Sequence, residues 1–353
     1  MPGSSFLRRL PKVQLHCHLE GTLRPDTFID LARRRGVALT YQAGEGTLPA
    51  AEIADAGPEH VYDFRDFQGF LMTFAAVSRS LALPEDYARL AEEFAEDAVG
   101  QNVMRAEVFI SPSVWRFFHP EIDVRACVVA MRRVFDAVRR DLEVEFIVDV
   151  TRNFGAESAM RTARLAADLQ DLGVIGIGLG GDEVRFPPES FVEVFDLARK
   201  HGLRCVAHAG EASGAHSVLT AIEQLGAERI GHGIRALEDP ATMALLAQRR
   251  IPLEVCPTSN FLTGVVPRDR SHPLLELDAA GCVVSIDADD PALFRTSVTQ
   301  EYEYVEQLAG REAVERFARN AVEASFASPQ RKTELHGRLD AFGLEPSGAR
   351  RTS

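Results

Sequence analysis

The sequence predicts an α/β fold, a single (β/α)8 barrel with a helical lid inserted after its first strand. Three observations carry that expectation. Short β-branched runs recur at 13–18, 103–110, 144–150, 174–180, 204–210, 229–233, 252–257 and 283–289, separated by longer stretches with helical periodicity. Polar clusters close several of these runs, as at the C-terminal mouth of a barrel, where the loops after the strands build active sites. An open doubly wound sheet permits the same alternation. However, His16 on the first run and Asp289 on the last meet at one site only if the sheet closes.

The first run, VQLHCH, sets His16 and His18 on one face of a strand, because alternate residues share a face, and two imidazoles there suit one metal ion. The segment from Gly36 to about Phe74 reads as an insertion. Its early part, Tyr41 to Pro58, is rich in Gly, Ala and Glu and is expected to be a loop. From Tyr62 to Phe74 aromatics recur at helical spacing. Such a stripe is usually core packing, but after the first strand of a barrel it overhangs the mouth as a lid. Helices are expected at Phe191 to His201 and Pro240 to Arg249. Further polar clusters follow later runs: His208-Ala209-Gly210-Glu211, Gly231-His232-Gly233 and Asp287-Ala288-Asp289-Asp290-Pro291. Residues 1–344 form one domain in this reading, and the polar, basic tail 345–353 is expected to be disordered.

A chain of 353 residues is ordinary for one such barrel. The formal net charge of −13 argues against non-specific binding to nucleic acid or anionic membrane. No apolar stretch approaches the ~20 residues that span a bilayer, and the opening Met1 to Arg9 lacks the apolar core of a signal peptide. A cytoplasmic protein is expected, and a homo-oligomer is compatible with the sequence. Cys17, Cys127, Cys205, Cys256 and Cys282 form no C-x-x-C pair and are expected to be buried reduced thiols.

Brought together at the mouth, His16, His18, His208 and an aspartate of the last cluster offer nitrogen and oxygen ligands to one divalent ion. Zn²⁺ suits them best, with iron, manganese or cobalt also compatible. A zinc site with an open position lowers the pKa of water from about 15.7 to near 7. Glu211 and His232 are the candidates for moving protons and orienting that water. The run 174–180 lacks the lysine that, once modified, bridges two metals in binuclear barrels, so one ion per chain is expected.

The motifs LHCHLEG (15–21), GLGGDE (178–183), HAGE (208–211), RIGHGI (229–234), EVCPTSN (254–260) and SIDADDP (285–291), in this order, resemble the adenosine deaminase family of the amidohydrolase superfamily over nearly the whole chain. The resemblance implies zinc ligands His16, His18, His208 and Asp289, with His18 also facing the substrate. It makes Glu211 the acid that protonates purine N1 and His232 the group that orients and deprotonates the attacking water. Asp290 would hydrogen-bond N7, and the backbone around Gly181 would meet N3. The H-x-E and P-C-x-x-C signature of the other zinc deaminases is absent.

Two positions depart from the adenosine pattern. Glu20 stands where those enzymes carry an aspartate that contacts the ribose 5′-hydroxyl, one methylene and about 1.5 Å shorter. Gly178 stands where they carry an acid. Adenine deaminases share the glutamate but tend to read D-H-G and C-P-L-S-N, unlike Gly231-His232-Gly233 and Cys256-Pro257-Thr258-Ser259-Asn260. The H-L-E-G and G-x-G-L-G-G pairing is similar to aminodeoxyfutalosine deaminases of menaquinone biosynthesis, whose substrate carries an aryl ketone at the 5′ end. The expected function is zinc-dependent hydrolytic deamination of a 6-aminopurine nucleoside, of the adenosine-to-inosine type, releasing ammonia. Aminodeoxyfutalosine and free adenine are the alternative substrates, and metal-dependent ester or lactone hydrolysis is the alternative of a different class. Glu20 and the lid aromatics Phe64, Phe67, Phe70 and Phe74 are expected to line the mouth together and to favour a nucleoside extended at its 5′ end.

Overall fold

Eight strands pair in chain order, each neighbouring pair parallel, in the computed structural model, which describes residues 5–40, 47–48 and 57–343. They are β1 (Lys12–Gln14), β2 (Val103–Ile110), β3 (Glu143–Thr151), β4 (Val174–Gly180), β5 (Arg204–Ala209), β6 (Arg229–His232), β7 (Pro252–Val255) and β8 (Val283–Ile286). With helices packed around them they form the expected (β/α)8 barrel.

Closure happens at the mouth. Beyond the regular ends of β1 and β8, Cys17 bridges Asp289 in parallel. There the His18 N–H donates to the Asp289 carbonyl at 2.9 Å and the Asp289 N–H to the His16 carbonyl at 3.0 Å. β1 is shorter than the run 13–18 because a side chain takes over its ladder: Asp287 Oδ1 accepts the N–H groups of Leu15 at 2.6 Å and His16 at 3.1 Å. Inside the barrel, below the mouth, lies a buried charged layer in place of an all-aliphatic one. Arg105 donates to Glu107 at 2.8 Å, and Arg229 bridges Glu107 and Glu254.

The insertion yields helix Phe67–Ser80, which begins five residues later than the aromatic stripe. Asp66 explains the start, since its carboxylate caps the helix by accepting the Gly69 N–H at 2.8 Å. Tyr62 precedes the helix and donates its hydroxyl to the Leu23 carbonyl at 2.8 Å. Most of the loop expected at Tyr41 to Pro58, and the tail 345–353, lie outside the described residues. Helices Val192–Lys200 and Pro240–Arg249 fall where periodicity placed them. Among the described residues no helix is long and apolar enough to cross a membrane. All five cysteines are buried and free.

Candidate active site

The strand-end clusters converge. His18 Nε2 stands 3.1 Å from His208 Nε2, and Asp289 Oδ1 lies 3.5 Å from both His16 Nε2 and His18 Nε2. Metal–nitrogen bonds of 2.0–2.1 Å set tetrahedral ligands roughly 3.3 Å apart, so these separations fit one shared ion. The orientation of His16 points the same way. Its Nδ1 is held by Glu254 Oε2 at 2.8 Å, while its Nε2 is buried without a hydrogen-bond partner among the described residues and faces the cluster. Arg229 Nε holds the other oxygen of Glu254 at 2.5 Å, tying His16 to the charged layer below.

His232 and Asp290 border the same cluster. His16, His208, His232 and Asp289 form one group of mutually close ligand atoms, and His18, Asp289 and Asp290 form another. His232 Nε2 is 3.8 Å from Asp289 Oδ2 and 3.8 Å from Glu211 Oε1. His232 and Asp289 both have positive φ, 61° and 60°, a backbone conformation that costs non-glycine residues energy and gathers at functional sites. Ser259 Oγ donates to Asp289 Oδ2 at 2.6 Å and steadies that carboxylate. Gly21 leaves room for Asp290, since a Cβ there would lie 1.9 Å from Asp290 Oδ1.

The turn that carries Glu211 is built by Glu183. Its carboxylate accepts the N–H groups of Gly210 at 2.6 Å, Ala212 at 2.8 Å and Ser213 at 2.9 Å. Burial, reinforced by the negative charges of Asp289 and Glu183, pushes the Glu211 carboxyl up to about 8. Burial pushes His232 down to about 3, keeping it neutral, and burial together with neighbouring Asp289 raises Asp290. Burial also pushes Asp149 on β3 up to about 7.

A cavity of about 260 Å³ opens on these groups. His18, Gly181, His208, Glu211, His232, Asp289 and Asp290 line its floor, and Phe67, Phe70, Leu71 and Phe74 of the lid helix overhang it. Phe64 packs instead on Phe70 and Phe294, with ring centroids 5.8 and 5.7 Å apart. Glu20, expected beside the lid at the substrate's 5′ end, does not line the cavity. It is fully buried, and its Oε1 accepts the Ser111 N–H at 2.8 Å and the Trp115 Nε1–H at 2.6 Å. Glutamate is long enough to reach that pair, so it latches the turn Glu20–Thr22 after β1 to helix Pro112–Phe118.

Sequence reasoning did not single out Glu183, Glu254, Ser259, Asn260 or Asp149. The available signal was a charged residue inside a buried strand run, as with Asp149 and Glu254.

The barrel and its buried histidine–carboxylate floor, a group of side chains able to hold a metal ion, are those of a hydrolase of the amidohydrolase type. The family model for adenosine deaminase matches residues 11–342, and the chain belongs to that family. Relatives include an adenine deaminase of Cupriavidus necator, 35% identical over 96% of this chain and 94% of its own length. An aminodeoxyfutalosine deaminase of Streptomyces avermitilis is 37% identical over 96% of this chain and 92% of its own. A crystal structure of an amidohydrolase from Burkhoderia ambifaria with bound Zn superposes with a TM-score of 0.82 at 27% identity, covering 96% of this chain and 93% of that one. The chain is thus a deaminase for adenine- or adenosine-like substrates.

Proposed function

We propose that this enzyme hydrolytically deaminates a 6-aminopurine nucleoside, releases ammonia, and holds one zinc ion with His16, His18, His208 and Asp289. The observation that carries the reading is Glu211: a buried carboxyl pushed up to about 8, on the floor of the cavity, beside His232 and the ligand cluster. Three imidazoles and one carboxylate are a zinc-type donor set, and the ion, when bound, supplies the Lewis acidity that activates water at neutral pH.

The other steps belong to the chain's own groups. Glu211, protonated at neutral pH, donates to purine N1, so that the ring accepts electrons as the carbon bearing the amino group is attacked. Asp290, also raised, donates from its protonated carboxyl to N7, a hydrogen-bond acceptor; both its oxygens are buried without partners among the described residues. Gly181 lines the cavity, and its backbone is the group assigned to N3.

For His232 a chain of hydrogen bonds supports orienting the water rather than deprotonating it. The Leu274 N–H donates to His272 Nδ1 at 3.1 Å, so neutral His272 carries its proton on Nε2. That Nε2–H donates to Asn260 Oδ1 at 3.0 Å, which turns the Asn260 NH₂ toward His232 Nδ1 at 3.0 Å. His232 Nδ1 is then an acceptor, and Nε2 holds the proton and faces the cluster as a donor.

The cavity wall supports a substrate larger than the base. Above the floor it is aromatic, built by Phe67, Phe70 and Phe74 of the lid and by Phe117 and Phe118 of helix Pro112–Phe118. Phe117 is 63% exposed, an apolar surface that an aryl or alkyl group at the 5′ end would cover. Free adenine is the second reading, favoured by one observation: Glu20 Oε1 is held by Ser111 and Trp115, and the side chain does not line the cavity where a 5′-hydroxyl would sit. Ammonia release from adenine, adenosine, 5′-methylthioadenosine and aminodeoxyfutalosine separates the two. The reading expects kcat/KM for a 5′-extended nucleoside to equal or exceed that for adenosine, with adenine far below. Adenine turned over faster than every nucleoside would overturn it.

A further inference from the structure

On the β2–β3 side the cavity is also lined by polar residues, Ser111, Asp149, Thr151 and Asn153. Two of them have side-chain partners: Thr151 Oγ1 pairs with Ser113 Oγ at 2.9 Å, and Asn153 Oδ1 accepts the Asp182 N–H at 3.0 Å. Asp149 is the ionisable one: it is 5% exposed, lines the cavity, and its Oδ1 is buried without a hydrogen-bond partner among the described residues.

The sequence of β4 makes room for this carboxylate. Asp149 is paired in register with Gly178, and Thr151 with Gly180. A Cβ on Gly178 would lie 3.0 Å from Asp149 Oδ1, and one on Gly180 would lie 2.5 Å from Oδ2. The carboxylate thus leans over β4 into the space that two inward side chains would fill. No β4 side chain at these positions shields it from the cavity.

The order of strands around the mouth follows the order of atoms around a purine. With N1 at Glu211 after β5 and N3 at Gly181 after β4, the next strand in the same sense is β3, which carries Asp149, and the next ring nitrogen is N9 with its sugar. The ribose hydroxyl on the N3 side is the 2′-hydroxyl, and an oxygen of a buried carboxyl group accepts a hydrogen bond from it. We infer that Asp149 accepts a hydrogen bond from the substrate's 2′-hydroxyl and makes the enzyme selective for ribonucleosides, an assignment that rests on the nucleoside reading above. A substrate without that hydroxyl leaves the carboxylate buried and unpaired, the situation in which polar sites discriminate most strongly.

The test is the ratio of kcat/KM for adenosine to that for 2′-deoxyadenosine, measured in the zinc-loaded wild type and in Asp149→Asn, Asp149→Ala and Gly180→Ala. The wild type should prefer adenosine by at least about tenfold, as expected for a lost buried hydrogen bond. Asp149→Asn, which keeps an acceptor oxygen, should retain part of the preference, and Asp149→Ala should bring the ratio to about one. Gly180→Ala leaves Asp149 in the chain but displaces its carboxylate, and should lower the ratio even if Asp149→Ala fails to fold. A wild-type ratio near one, or a ratio unchanged in Asp149→Ala and Gly180→Ala, overturns the assignment while leaving the nucleoside reading intact. Free adenine outpacing both nucleosides in the wild type overturns the nucleoside reading and this assignment with it.

Discussion

Replacing Glu211 with glutamine removes one transferable proton and little else. The two side chains are nearly isosteric, and the surrounding turn is held through backbone N–H groups bound to Glu183, which the substitution leaves in place. With the carboxyl pushed up to about 8, roughly nine in ten wild-type molecules carry the proton at pH 7. The variant therefore loses general acid catalysis worth about 10² to 10⁴ in rate, or roughly 2.7–5.5 kcal/mol of barrier. Steady-state ammonia release should show that fall in kcat, with zinc content by elemental analysis unchanged. The pH profile supplies a second readout. The protonated form is the active one, so wild-type kcat holds below about pH 8 and declines as pH rises through it. Glutamine does not titrate, so the variant's residual rate should lack that decline. Turnover near wild type, or the same alkaline limb in the variant, would remove Glu211 from proton delivery.

Substitutions at three further positions probe the rest of the site. Glu254→Gln weakens the carboxylate that orients His16 and should reduce metal affinity about 10- to 100-fold in competition with a chelator; unchanged affinity would count against that support. His232→Ala should lower kcat far more than it raises KM, and His232→Gln, which restores an N–H donor near Nε2, should recover part of the loss. If both variants are equally impaired, the donor role fails. Gly21→Ala places a Cβ against Asp290 and should depress kcat/KM at least about tenfold, with zinc retained; an unaffected variant would show that Asp290 needs no fixed position.

The fold was legible because parallel barrel strands are buried on both faces and read as continuous apolar runs. β2 and β4 fall at the bounds expected, 103–110 and 174–180. β1 did not, since Asp287 replaces its ladder bonds from 272 residues away, a contact that no local pattern announces. The lid helix started late for a reason that was local, the cap at Asp66. The four proposed ligands could be picked out because each ends a strand run. Their supports, Glu254, Ser259 and Glu183, act across strands whose register is invisible in one sequence. Glu20 turned away from the mouth because its partner is Trp115, 95 residues on. Asp149 acquires its meaning only beside Gly178 and Gly180 on the next strand.

Metal content set against rate tests the account most directly. Stripping the purified enzyme with a chelator and restoring Zn²⁺ in steps, with zinc measured by elemental analysis and ammonia release by initial rate, should give activity proportional to zinc up to one ion per chain and no further gain beyond it. Full activity after the metal is removed, or a rate that saturates only at two ions per chain, would contradict the single-ion site built from His16, His18, His208 and Asp289.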